Sequence, residues 1–379
     1  LRSLGGLRSR NLNKEGETLR HDILREKKDM NTTTKLAGLT LAMGIAGSAA
    51  FAQANLTAET ASPGGSIHLS LAHLTEVASQ RGIANIQLAD GQTLTNSVQN
   101  VAEGKTDIAG TPYILPFLLA KGRGPYSKLG EDGAALADNL RALYPVTLGI
   151  FTLYAYDSSP VKGWDTIADN SILNGPPRGA AVTNARAVIQ LATGLKEGEG
   201  YKGIQVNWGQ ATKTMMDGSV DGVVLPVLFP DSRVTQAVSA GKMTMWSTPI
   251  AQWESEGFQK YLKAPGSAPY VIPMADAIQP EGVTVVSEDG MFRGLATIGG
   301  DIVNKSMDFD LAKALTTAHI ETLDVLKAKA PFAKAVGYGE LDATRSGMCG
   351  PNPLKYHLGA VAAWEEAGYD VPDCAKPDS

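Results

Sequence analysis

Short apolar runs alternate with stretches of helical spacing along most of the chain, and this alternation limits the fold more than any other feature. The runs "NIQLAD" (85–90), "DIAG" (107–110), "VTLGIFTLYAY" (146–156), "SILNG" (171–175), "IQVNWG" (204–209), "VDGVVLP" (220–226) and "MTMWSTP" (243–249) read as strands. Between them 68–81, 94–103, 134–141, 180–193 and 210–217 read as helices. Strands separated by helices imply crossover connections, and so α/β architecture with largely parallel sheets flanked by helices. Two segments rich in Gly and Pro, 121–133 and 264–282, read as surface loops. The pattern "FDLAKALTTAHIETLDVLKAKA" (309–330) puts Leu311, Leu315, Ile320, Leu323 and Leu326 on one face, which predicts a long helix packed on the body of the protein.

The first 52 residues follow different rules. A charged stretch leads to Met30, the expected true start, so residues 1–29 are expected to be a non-native upstream extension. "MNTTTKLAGLTLAMGIAGSAAFA" (30–52) has a lysine, a short apolar core and a small-residue box ending at Ala52, the pattern of a cleaved signal peptide. Its apolar core falls short of the ~20 residues that span a bilayer. An exported, periplasmic protein is expected. Without residues 1–52 the chain keeps 25 basic and 34 acidic residues, a net charge of −9. That charge argues against nucleic acid or an anionic membrane surface as the main partner. Cys349 and Cys374 are the only cysteines. In an oxidising compartment a bridge tying down the C-terminal segment is expected, and two separate thiols are the other reading.

In "TAETASPGGSIHLSLAHLTEVASQRG" (57–82) a strand-like run breaks at Pro63-Gly64-Gly65-Ser66 and continues with helical spacing. A glycine turn that opens a helix leaves backbone N–H groups pointing outward at the positive end of the helix dipole, a natural seat for an anion. A plain strand-to-helix connection has the same sequence. Enzyme motifs are missing: His68, His73, His319 and His357 show no metal-ligand spacing, no GxSxG elbow occurs, and "SAGKMT" (239–244) lacks the P-loop's flanking residues. Neither catalytic residues nor a metal or cofactor is expected.

Several segments, taken in order, resemble the TAXI-type receptors of tripartite (TRAP) transporters, within the class of periplasmic binding proteins. "ASPGGSIHLSLAHLTEVA" is similar to the family's opening loop and helix, and "TLTNSVQNVAEGKTDIAGTP" to its stretch ending in Gly-x-x-Asp-Leu-Ala. "LRALYPVTLGIFTLYAYDSSPVKGWDTI", "MMDGSVDGVVLPVLFPD" and "YHLGAVAAWEEAGY" resemble the later landmarks. The chain departs from the family where His68 replaces a tyrosine, where Arg178-Gly179-Ala180-Ala181 replaces Gly-Ser-Gly-Thr, and where Leu358 replaces a proline.

The resemblance implies a two-lobed, type II-like binding protein with an interlobe cleft and a hinge. Residues 54–155 and 283–379 would form lobe I, and 156–282 lobe II. It implies a monomer that binds a small organic anion such as a carboxylate and presents it to TRAP membrane permease subunits. A binding protein of an ABC importer would have the same lobes, and a secreted enzyme on this fold is the third reading. On the lobe I side Ser62, Gly64, Gly65 and Ser66 are expected to offer N–H and hydroxyl donors. Thr93, Thr95 and Asn96 are candidates for the same task or for ordinary helix capping, with Thr111 beyond the "DIAG" strand. His68 is a candidate pH-tuned neighbour of the cleft or a hydrogen-bonded helix histidine. From the second lobe Trp208, Gln210, Phe229 and Tyr270 are candidates for an aromatic and polar wall or, for the rings, for core. Arg178, at the mouth of a helix, is expected to clamp the ligand's carboxylate; a solvent-facing arginine is the alternative.

Overall fold

Two long strands, β4 (Leu140–Tyr156) and β11 (Met291–Asn304), pair antiparallel and form the middle of the sheet. Both are apolar almost throughout and buried at nearly every position, as strands covered on two faces must be. This computed structural model describes residues 53–378; the expected leader, the 1–29 extension and the cleavage position near Ala52 lie outside them. On one side β11 is followed by β3 (Ile108–Pro112), β1 (Ala54–Glu59) and β2 (Ala84–Ala89), the last three mutually parallel. On the other side β4 is followed by β7 (Gly222–Val227), β5 (Ser171–Leu173) and β6 (Lys202–Ile204), with β5 parallel to both its neighbours. The strands β8 (Met243–Trp246), β9 (Ser267–Pro273), β10 (Val283–Val286) and β12 (Lys355–Tyr356) add to this path by pairing with β4, β11 and each other.

The α/β class and the flanking helices match the sequence reading. The parallel pairings hold towards the two ends, whereas the middle is antiparallel because β4 and β11 carry the chain across the molecule in opposite directions. Strand alternation gives the sheet a core on each face: Tyr154, Val223 and Leu225 belong to one, Leu153, Ala155 and Val224 to the other. Four local expectations need correction. Residues 264–282 contain β9, which pairs with β11 from Pro273↔Met291 to Ser267↔Thr297. The "IQVNWG" strand stops at Ile204, and a helix begins at Trp208. The helix expected over 134–141 ends at Asp138, with β4 starting at Leu140. The 309–330 pattern breaks at Thr322, whose backbone leaves the helical region and whose hydroxyl donates back to the Ala318 carbonyl, so two helices, Phe309–Glu321 and Leu323–Ala328, share the segment.

Helix α1 (Ser66–Gln80) lies on the β3–β11–β4 face with Ile67, Leu71, Leu74 and Val77 buried at helical spacing. Its inner side also carries Ser70 and His73, and beneath Ser70 sits Asp301, fully buried. Asp301 stands in register between Gly110 and Tyr144. Its Oδ2 accepts from the Tyr144 hydroxyl at 2.7 Å, with Ser70 Oγ at 3.5 Å, while Oδ1 has no partner. Burial pushes this carboxyl up to about 7, against the opposing effect of the Tyr144 and Ser70 bonds. The Tyr144 ring stacks on His319, whose imidazole burial holds at about 3 and therefore neutral. At the C-terminal end Cys349 and Cys374 are bridged, with Cα atoms 5.5 Å apart. Among the described residues no helix is long and apolar enough to cross a membrane.

Two outcomes follow for stability. An Asp301 that ionises near 3.8 when unfolded and near 7 when folded keeps an extra proton in the folded state between those values. Its contribution is complete below the lower value and is lost as pH rises to the upper one, on the order of 4 kcal/mol in all. Asp301→Asn should remove that slope and match or exceed the parent at pH 8 in denaturant titrations; a parental slope in the variant would contradict the assignment. The bridge closes a segment of sequence separation 25, so Cys349→Ser with Cys374→Ser should lose about 3 kcal/mol of unfolding free energy.

Candidate functional site

One cavity of about 500 Å³ opens beside the β4–β11 ladder. Leu148 and Phe151 of β4 and Thr297 of β11 form its floor. From one side it receives the turn Ala61–Ile67 that opens α1, with Leu94 at the start of α2 (Leu94–Ala102), Pro112 at the end of β3 and Ile114 just beyond it. From the other it receives Ala180, Ala181 and Asn184 of α3 (Ala180–Thr193), Trp208 and Gly209 of α4 (Trp208–Met216), and Asp231, Ser232 and Arg233 at the start of α5 (Ser232–Ala237).

The first turns of α1 and α3 therefore border the same space. Both helices start on glycine, Gly65 and Gly179, and neither has a side-chain cap. Gly64 and Gly179 take φ of 103° and 106°, a backbone region that other L residues rarely adopt, which explains the glycine in each turn. Free N–H groups of two helices thus face the cavity with their dipoles' positive ends.

Asp231 and Arg233 are the charged side chains of the lining. Asp231 is buried and caps α5: Oδ1 accepts from the backbone N–H of Arg233 at 2.9 Å and of Val234 at 3.3 Å, and Oδ2 from that of Leu228 at 3.1 Å. The Arg233 side chain, 22% exposed, donates to Asp231 through Nε at 3.4 Å and Nη2 at 3.2 Å, and through Nη2 to the Pro226 carbonyl. Its guanidinium carbon lies 5.2 Å from the centroid of the Trp208 ring. Burial opposes its charge, but the Asp231 carboxylate and Tyr154 more than offset this and raise its pKa. Asn184 accepts from the Tyr261 hydroxyl at 2.8 Å through Oδ1, which leaves its Nδ2 donors for the cavity. The lining is thus apolar with donors set into it, and its one carboxylate is already saturated.

The structure brings Ser62, Gly64, Gly65, Ser66 and Trp208 to this cavity. It does not bring the other candidates there. His68 faces Asp90, Nε2 to Oδ2 3.6 Å, on the far side of its helix turn. Thr93 is the N-cap residue of α2 without a side-chain cap, its carbonyl accepting from the Asn96 N–H at 2.8 Å, and the Thr95 carbonyl accepts from the Tyr126 hydroxyl; only their neighbour Leu94 reaches the cavity. Thr111 is buried one residue before the lining begins. Arg178 is exposed on the 175–179 turn and outside the lining, because Gly179 redirects the chain so that Ala180 and Ala181 enter instead. Gln210 is exposed on α4. Phe229 and Tyr270 are core: their rings stack at 6.1 Å, and Phe229 meets Phe292 edge-on at 5.0 Å. Sequence reading missed Arg233, Asp231 and Asn184. "FPDSRV" does carry a helix-start signal in Asp231, but the approach of Arg233 to Trp208 across 25 residues of chain carries none.

A family model described as the NMT1-like family matches residues 59–368. No curated protein matches the chain. Among solved structures it is similar to a putative periplasmic sulfonate-binding protein from Methylobacillus flagellatus, with 13% identity over 75% of this chain and 72% of that one and a TM-score of 0.42. It is similar to a TRAP periplasmic solute-binding protein from Ralstonia eutropha that holds (S)-2-acetolactate, with 15% identity over 84% and 86% and a TM-score of 0.43. A TctC solute-binding protein from Polaromonas gives 14% identity over 84% and 97% and a TM-score of 0.44.

The placement of Phe229 separates core from cavity by experiment. Phe229→Ala should cost about 3–5 kcal/mol of unfolding free energy in urea. A stability loss well below 1 kcal/mol would return the ring to the cavity wall.

Proposed function

The chain belongs to the NMT1-like family, and from that premise we propose that it is an extracytoplasmic solute-binding protein that captures a small organic anion. The observation that carries the reading is the single cavity bordered by two uncapped helix starts and lined by apolar groups and donors. Its volume is in the range of small-molecule sites. Backbone N–H groups and an arginine favour negative charge, and the saturated Asp231 adds no free acceptor that would favour a cation. The ligand class we assign is a carboxylate. The resemblance of the ordered segments to TAXI-type receptors supports TRAP permease subunits as the partners, with a periplasmic monomer delivering the ligand. In this reading residues 54–155 with 283–379 form one lobe and 156–282 the other, and the hinge lies where β4 and β11 of the first pair with β7, β8 and β9 of the second.

A thermal-shift screen of carboxylates, sulfonates, amino acids and sugars tests it. An organic acid at 100 times its Kd should stabilise the protein by about 2.7 kcal/mol and be recovered unchanged at one per chain. Catalytic turnover of a bound compound, or stabilisation by sugars alone, would overturn the proposal.

A further inference from the structure

The polar contacts of Arg233 leave one part of its guanidinium unused. Asp231 occupies the Nε and Nη2 donors, Pro226 takes a second bond from Nη2, and Nη1 makes no hydrogen bond among the described residues. Asp231 cannot swing away without breaking three backbone bonds, from Leu228, Arg233 and Val234. The guanidinium is therefore fixed in direction, and the Trp208 ring, 39% exposed, covers one of its sides. Leu148, Phe151, Pro226, Leu228 and Ile114 give the cavity apolar walls, with Ser232 and Gln236 as the polar neighbours of Arg233 on its own helix.

We infer that Arg233 and Trp208 form the recognition subsite of the cavity, specific for a singly charged carboxylate on an apolar body. The inference rests on the solute-binding reading and narrows it. The free Nη1 amino group accommodates one oxyanion. A second carboxylate would meet no second cationic side chain, only the backbone N–H groups at the starts of α1 and α3, and the fixed Asp231 carboxylate would repel it, so a monoanion is preferred over dianions. An amino acid's ammonium would find no free carboxylate in the lining, since Asp231 is already saturated by backbone N–H groups and Arg233. An apolar chain or ring, in contrast, fills the space over Leu148 and Phe151 and packs on Trp208.

Titration calorimetry with a graded set of probes is the test: butanoate, hexanoate and phenylacetate as monoanions, succinate and citrate as polyanions, and hexanamide and phenylacetamide as neutral shape matches. Affinity should rise with the apolar body among the monoanions, while the amides and the polyanions bind far more weakly. Arg233→Ala should weaken phenylacetate by roughly 30-fold or more, and Arg233→Lys should recover part of that. Trp208→Ala should weaken it less, and Arg178→Ala should leave it unchanged. Circular dichroism and melting temperature identify any variant that fails to fold; Arg233→Gln, which keeps length and polarity, then takes the place of Arg233→Ala. Amides that bind as well as the acids, or a folded Arg233→Ala or Arg233→Gln with parental affinity, would overturn the subsite while leaving the solute-binding reading intact. A parent protein that retains none of the probes and none of the wider screen would overturn both.

Discussion

The antiparallel ladder between β4 and β11 is the constraint on which everything else depends. Its register runs from Leu295↔Phe151 to Asn304↔Leu140, and each strand continues beyond it into further pairings. β3 reaches the rest of the sheet through β11, and β7 through β4. A strand pair buried on both faces has little freedom to slip, since a shift of one residue would exchange the two cores. Leu148, Phe151 and Thr297, the cavity floor, therefore stand on the most constrained part of the molecule, while the groups above them come from helix starts and turns.

That division explains how far the sequence could be read. Periodicity is a local signal, so it located α1, α2 and the α/β alternation, and glycine chemistry located the turn at Pro63-Gly64-Gly65-Ser66, which does border the cavity. It failed where the outcome depends on which face of an element meets which partner. Arg178 sits in a motif of the right kind, but Gly179 turns the chain so that the alanines after it enter the cavity. Phe229 and Tyr270 have the composition of a binding wall and find a better packing partner in each other and in Phe292. Arg233 had no motif because its meaning comes from Trp208, on another helix. The middle of the sheet was missed for a related reason: 146–156 reads as a strand, but 291–304, with Arg293, Asp301 and three glycines, does not, and strand direction is not a local property.

The buried Asp301 and the saturated Asp231 show two ways to place a carboxyl in a protein interior. Asp301 receives one good hydrogen bond, has an orphan oxygen, and therefore keeps its proton up to about pH 7. Asp231 receives three backbone N–H bonds and an adjacent guanidinium. Both side chains are buried, and they differ in the number of donors they receive. Below about pH 7 the protonated Asp301 under α1 adds no negative charge behind the helix start that borders the cavity.

In the proposed solute-binding role Asp231 has a second consequence. An arginine alone among apolar walls would be costly to desolvate in the empty state and would hold any anion tightly once bound. Pairing it with a fixed carboxylate lowers both extremes: the empty cavity contains a compensated charge, and the ligand meets a guanidinium whose field is partly spent. Because Asp231 is held by the backbone of its own helix start rather than by the ligand, this compensation does not change when the ligand leaves. In that role the apolar contacts with Leu148, Phe151 and Trp208 add to the contribution of the arginine and grow with the ligand's body. The arginine selects for charge and the apolar lining for the body that carries it, while the Arg233–Asp231 pair keeps its backbone anchors with or without a ligand.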